Sequence, residues 1–371
     1  MIYLDYNATT PTDPRVVEAM LPYLREHHGN PSSVHAMGRR VHTAVEAARL
    51  QVADLLGATP NEIVFTSSGT EANNQVIKGV ADMHRGKPCH MIISAIEHPA
   101  VEKPCRYLET NGVRITAVEV DRAGMVDPDD VGRAISADTV LVSIMHANNE
   151  VGTIQPIREI SQIAHQAGVL MHTDAAQSMA KIPVRVDELG VDLLTIAGHK
   201  FYAPLGVGAL YIRDGVALPP LLHGAGHERG RRAGTEAVPA VVGLGEAARI
   251  AGEEMDENRL RARRDRLHQT LAAALADRMV LNGHPDRRLP NTLNVSFRRC
   301  VSADLLAGLD ELCTSTGPAC GSGEGIPSAT LTAMGIDRDM ALGAVRLSVG
   351  RFTTEAEVDR AAELLIGAMT S

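Results

Sequence analysis

Residues 156–174 read PIREISQIAHQAGVLMHTD, and this stretch decides the fold. Pro156 opens a helix, where a proline loses no intrahelical hydrogen bond, and Gly168 closes it. Ile157, Ile160, Ile163 and Ala164 recur at helical spacing and so share one face. VLMHTD follows as a short apolar run ending on a carboxylate, the pattern of a buried strand. A helix feeding a buried strand is half of a βαβ unit, the building block of parallel sheets.

The same rhythm extends both ways. EIVFT, HMIIS, VRITAVEV, TVLVSIM, DLLTIA and GALYI lie between about residue 60 and residue 212, alternating with amphipathic stretches. With VLMHTD they predict a mostly parallel, seven-stranded, doubly wound sheet covered by helices. After Arg249 comes EEMDENRLRARRDRLHQTLAAALADR, read as a charged, solvated helical connector. NTLNVSF, AVRLSVG and a closing helix from Glu355 then suggest a smaller α+β unit. A chain of 371 residues is too long for one ordinary core. The expected division is a large domain over 14–256 and a small domain from 1–13 with 257–371.

Composition narrows the function classes. The formal net charge is −9, the wrong sign for a protein that works on a nucleic-acid backbone or an anionic membrane. The opening MIYLDYNATTP lacks a basic segment followed by an apolar one, and no run of eighteen apolar residues occurs. The expectation is a soluble, cytoplasmic protein. Cys89, Cys105, Cys300, Cys313 and Cys320 form no CxxC pair of the zinc or redox kind, and their odd number leaves at least one free thiol.

In open α/β sheets ligands bind beyond the carboxyl ends of the strands. EIVFT runs into Ser67-Ser68-Gly69-Thr70 and a helix, an arrangement suited to a phosphate. The next strand candidates lead to His98, to Asn148-Asn149, to Asp174 with Gln177 three residues on, and to His199-Lys200. A pyridoxal ring needs an amine for its aldehyde, a carboxylate facing its nitrogen and a flat partner against its face. Lys200, Asp174 and His98 supply these in turn.

The motifs DYNATTP, NPSSVHAMGR, TSSGTEANN, EHPAV, MHANNEVG, HTDAAQS, GHKFYAPLGVGALY, GAGHERGRRAGTE and VRLSVGRFTT, in this order from Tyr3 to about Thr354, resemble those of the cysteine desulfurases and selenocysteine lyases. The resemblance implies a pyridoxal 5'-phosphate enzyme of fold type I. It also implies roles for individual residues. Lys200 resembles the cofactor-holding lysine, Asp174 the partner of the ring nitrogen, Gln177 the donor to the phenolate oxygen, and His98 the stacking acid/base. Asn149 lines the cofactor and substrate side. Gly69, Thr70 and His199 resemble the phosphate cup, and Thr235 the threonine that a homodimer partner lends across the interface. Ala197 departs from the family's frequent Ser-Gly-His-Lys. The missing hydroxyl removes a phosphate hydrogen bond worth about 1.5–3 kcal/mol unless another group replaces it.

Cys320 lies in TGPACGSGEG, residues 316–325, whose four glycines favour an irregular loop where a thiol is accessible. The resemblance makes it the persulfide-forming cysteine and makes Arg346 the clamp for the substrate carboxylate, a task suited to a planar guanidinium. The other four cysteines read as packing residues, with Cys313 buried after LLAGLDEL. The implied reaction has Lys200 take the α-proton of L-cysteine and Cys320 attack the sulfur, leaving alanine and a Cys320 persulfide. L-selenocysteine is the alternative substrate, favoured by Ala197 and by Pro318 in the loop. A sulfur- or selenium-acceptor protein is the further partner implied. The rivals are an aminotransferase of the same fold, for which a loop thiol has no use, and a cofactor-free scaffold, against which Lys200 and Asp174 both argue.

Overall fold

The computed structural model describes residues 1–316 and 326–370. Its strands are β1 (Ile2–Tyr3), β2 (Ile63–Thr66), β3 (His90–Ser94), β4 (Arg114–Val118), β5 (Thr139–Ser143), β6 (Leu170–Asp174), β7 (Leu193–Ala197), β8 (Gly208–Ile212), β9 (Met279–Asn282), β10 (Thr292–Phe297), β11 (Leu312–Cys313) and β12 (Ala344–Ser348). All seven strands expected between residues 60 and 212 are present. They form one sheet in the order β2-β8-β7-β6-β5-β3-β4. Only β8 runs against its neighbours.

Every residue of β2, β3, β7 and β8 is buried, which is why these strands read as unbroken apolar runs. Alternate residues feed two cores. Ile63, Phe65, Ile92, Val142, Leu194 and Ile196 face one layer of helices. Val64, Met91, Ile93, Leu141, Leu193 and Leu210 face the other. In the first layer, helices Ala36–Leu56 and Val238–Glu254 meet where a Cβ on Gly245 would stand 2.5 Å from Ala48 Cα, so only glycine permits that approach. Strands β2 and β4 are the two edges, and β4 has Arg114 exposed. The helix expected after Pro156 runs Ile157–Gln166 and buries Ile157, Ile160 and Ala164; Gly168 turns the chain with φ of 70°.

A second, antiparallel sheet, β12-β10-β9, carries its own core of Leu4, Leu267, Leu271, Leu293, Phe297, Leu347 and Leu365. Strand β1 pairs with β11 and joins this unit. The stretch after Arg249 is not a solvated connector. One helix ends at Glu254; Asp256 then caps another, Glu257–Leu275, by accepting the Arg259 N–H. Leu260, Leu267, Leu271 and Leu275 bury one face of this second helix, and its closely spaced arginines had masked the stripe. Cys313 is half-buried rather than buried, because β11 lies at the margin of the unit; Cys89 and Cys105 are buried and Cys300 is half-buried.

Candidate active site

The chain lays β4 on one side of β3 and β5 on the other, so the strand order reverses there, the position where open sheets form a crevice at their carboxyl ends. Asp174 is the last residue of β6 and is buried. Its Oδ1 accepts the Ala176 N–H at 2.9 Å and its Oδ2 accepts Asn73 Nδ2 at 2.7 Å. Both oxygens are acceptors, as a protonated ring nitrogen requires of its partner.

His98 caps the helix Pro99–Glu109, its Nδ1 accepting the Ala100 N–H at 3.1 Å. That bond assigns the proton of the neutral ring to Nε2. Burial lowers the His98 pKa, with Asp174 opposing and Lys200 adding to the effect, so all three residues share one electrostatic environment. Lys200 follows β7 and donates from Nζ to Asn7 O at 2.8 Å and to Ala8 O at 2.7 Å. Beside it, His199 is pushed down to about 4 by burial and then by Lys200, Lys181 and His98; its Nδ1 lies 3.1 Å from Thr9 Oγ1.

Ser68 caps the helix Gly69–Met83 through the Glu71 N–H, leaving the Gly69 and Thr70 N–H groups as open donors of the first turn. A Cβ on Gly69 would stand 3.1 Å from Ala197 Cβ, so the start of the helix is pressed against the end of β7. Glu71 braces the turn, accepting Ser67 N–H at 2.9 Å and Arg232 Nε at 2.8 Å.

Gln177 donates from Nε2 to Asn7 O at 2.9 Å. Asn149 is half-buried, and its carbonyl accepts Asn7 Nδ2 at 3.2 Å and Arg346 Nη1 at 3.1 Å. Arg346 is buried in β12, with Nη2 on Asp5 Oδ1 at 2.7 Å and a buried Nε lacking a partner among the described residues. Thr235 stands apart: it is exposed and bonds to none of these groups among the described residues. Cys320 lies outside the described residues. A cavity of about 700 Å³ lined by Met83, His84, Asp138 and Leu170 opens at the amino ends of the strands, away from this chemistry.

Sequence reasoning missed Asn7, Asn73, Asp5 and Lys181. Asn7 lies in DYNATTP and Asn73 in TSSGTEANN, motifs quoted without a role for either residue. Asp5 opens the same DYNATTP motif, also quoted without a role for it; Lys181 gave no signal, since it matters only through a buried contact.

An amine, an acceptor carboxylate, an imidazole N–H, an amide donor and an open helix N-terminus form a donor set that fits pyridoxal phosphate. A model of the aminotransferase class-V family matches residues 2–361. The cysteine desulfurase IscS of Dictyoglomus turgidum is 48% identical over 98% of this chain and 93% of its own length. The mouse cysteine desulfurase is 46% identical over 98% of this chain and 80% of its own. Among solved structures, a NifS-like protein superposes with a TM-score of 0.92 at 39% identity, covering 100% of this chain and 99% of that one. SspA in complex with cysteine gives 0.85 at 36% identity, over 95% and 100%. Fold and family together define a pyridoxal-phosphate-dependent enzyme. The chain belongs to the cysteine desulfurase family of class-V aminotransferases.

Proposed function

We infer that the protein removes sulfur from L-cysteine to give L-alanine, with Cys320 as the sulfur acceptor. Family membership over nearly the whole chain carries this reading. The convergence of His98, Asp174 and Lys200 at one end of the sheet supports it.

When bound, pyridoxal phosphate supplies an electron sink for the bond being broken at the substrate's α-carbon. Asp174, acceptor at both oxygens, keeps the ring nitrogen protonated. The first turn of the helix at Gly69 and the adjoining His199 would bind the phosphate. Lys200 would hold the cofactor's aldehyde and, with substrate bound, would take the α-proton on Nζ. His98 carries its proton on Nε2 and moves it within the pocket. Arg346, held by Asp5 and the Asn149 carbonyl, orients the substrate carboxylate with its remaining N–H groups. The Cys320 thiolate then attacks the substrate sulfur; the S–S bond forms as the carbon–sulfur bond breaks, the electron pair of that bond stays on the carbon fragment, and a proton from His98 with the α-proton returned by Lys200 completes alanine.

A homodimer accounts for the exposure of Thr235, which a partner copy's cofactor would cover. An acceptor protein for the persulfide sulfur completes the cycle. The separate core of residues 2–4 and 260–369 supports a small domain of 1–13 with 257–371 beside a large domain of 14–256. No helix among the described residues is long and apolar enough to cross a membrane. A reducing cytoplasm suits an enzyme that works through a free thiol. Alanine formation from L-cysteine and from L-selenocysteine, measured side by side on the wild type and on Cys320→Ser, tests the assignment. Loss of cysteine turnover in the variant is the expected result. Retained turnover would favour a thiol-independent lyase or aminotransferase.

A further inference from the structure

Lys181 is a buried lysine near the half-buried Lys200, and nothing in the chemistry above uses it. The residue is 6% exposed. Its Nζ donates to Gln177 O at 2.8 Å and to Gln177 Oε1 at 2.9 Å. Burial, followed by the charges of Lys200 and Arg346, drives its pKa well below the usual lysine value. A neutral amine has two N–H groups, and two acceptors face it. An ammonium would carry a third N–H without an acceptor among the described residues.

These contacts fix the Gln177 amide from both ends. Asn7 O can only accept, so the group facing it at 2.9 Å is Nε2, and Oε1 is left to Lys181. Asn7 cannot shift to accommodate another arrangement. Its N–H donates to Ser348 Oγ at 2.9 Å, its Nδ2 to Thr292 Oγ1 at 2.9 Å, and its Oδ1 accepts Asn291 Nδ2 at 2.9 Å. The same Asn7 carbonyl receives Lys200 Nζ at 2.8 Å. One N–H of Gln177 is therefore spent on Asn7, and the second stays available.

We propose that Lys181 is a positioning residue for the cofactor: by holding Oε1 of Gln177, it presents the second amide N–H to the phenolate oxygen of pyridoxal phosphate. This rests on the reading of Lys200 as the cofactor lysine and Gln177 as the phenolate donor. A donor on the phenolate stabilises its negative charge, so the proton on the neighbouring Lys200 nitrogen leaves at lower pH. Without Lys181, Oε1 is a buried acceptor with no donor, and the amide turns to find one. His98, His199 and Arg346, which interact electrostatically with one or both of these lysines, are unchanged by the substitution.

The test is a pH titration of the visible absorption of the holoenzyme. Lys181→Met should raise the midpoint of the band conversion by about one pH unit, the scale of one hydrogen bond to a charged group. Gln177→Leu should shift it equally, and the double variant should move no further than either single one. An unshifted midpoint in Lys181→Met, or additive shifts in the double variant, overturns the proposal; additive shifts would mean that Lys181 acts by its own charge. Should Lys181→Met not fold, Lys181→Ala carries the same prediction with less crowding. A wild type without a Lys200-dependent band would instead sink the cofactor reading itself, leaving the two failures distinct.

Discussion

Asn73 donates to Asp174 Oδ2 at 2.7 Å from one turn inside the helix that starts at Gly69. Under the proposed cofactor reading, the helix whose N-terminus would face the phosphate also orients the carboxylate that would face the ring nitrogen. Asn73 is buried, and its Oδ1 has no partner among the described residues, so the Nδ2 bond holds this amide in place. Replacing Asn73 with Leu removes a hydrogen bond to a charged group, worth about 1.5–3 kcal/mol. Cofactor affinity should fall roughly 10- to 100-fold, read as the pyridoxal phosphate needed to restore the visible band. An unchanged affinity would show that Asp174 is held by its own backbone alone.

Buried histidines set the acid limit of stability. His146 and His172 are pushed down to about 4 by burial, as are His90 and His199, where Arg114 and Lys200 respectively add to the effect. A folded pKa below the unfolded value near 6.5 means that the unfolded chain binds more protons between these limits. Stability is therefore complete above pH 6.5 and lost as pH falls toward 4. Glu97, pushed up to about 8 by burial, and Glu150, also raised by burial, work the other way, as two groups against these four histidines together with His98 and His268, which burial lowers as well. The thermal midpoint should fall between pH 7 and pH 5, and less steeply in His146→Gln. A flat or rising profile would contradict this.

Of the ion pairs that hold the segment leading to Thr235, the one between Glu228 and Arg49 of helix Ala36–Leu56 is the most buried. Glu228 and Arg229 have left-handed φ of 49° and 57°, and the Glu228 carboxylate holds them by accepting both Arg49 Nη atoms, at 2.7 and 2.8 Å, and the Phe65 N–H at 2.8 Å. The pair is almost fully buried. Arg49→Met leaves an unpaired buried carboxylate and should cost about 3–5 kcal/mol in chemical denaturation. A loss under 1 kcal/mol would mean that water or another cation takes over the carboxylate.

The seven-stranded sheet was legible because both faces of most of its strands are buried, so those strands appear as apolar runs bounded by turn residues. Strand β9, MVLN, was not: it is four residues long and its middle positions are only half-buried. Helix Glu257–Leu275 was misread because arginines crowd the turns between its leucines. In the site, Lys200, Asp174 and His98 were visible as polar groups at strand ends. Asn7 acts through its main-chain carbonyl, which any residue type possesses, and Lys181 acts through a side chain four positions away in a turn. Neither leaves a pattern that a linear reading detects.

Transfer of sulfur from the substrate onto Cys320, as proposed, leaves a persulfide that can be weighed. Holoenzyme incubated with L-cysteine without reductant, then digested and weighed by mass spectrometry, should carry one added sulfur on the peptide containing Cys320, with alanine formed in equal amount. Alanine produced while that peptide stays unmodified, or added sulfur on Cys300 or Cys313 instead, would contradict it.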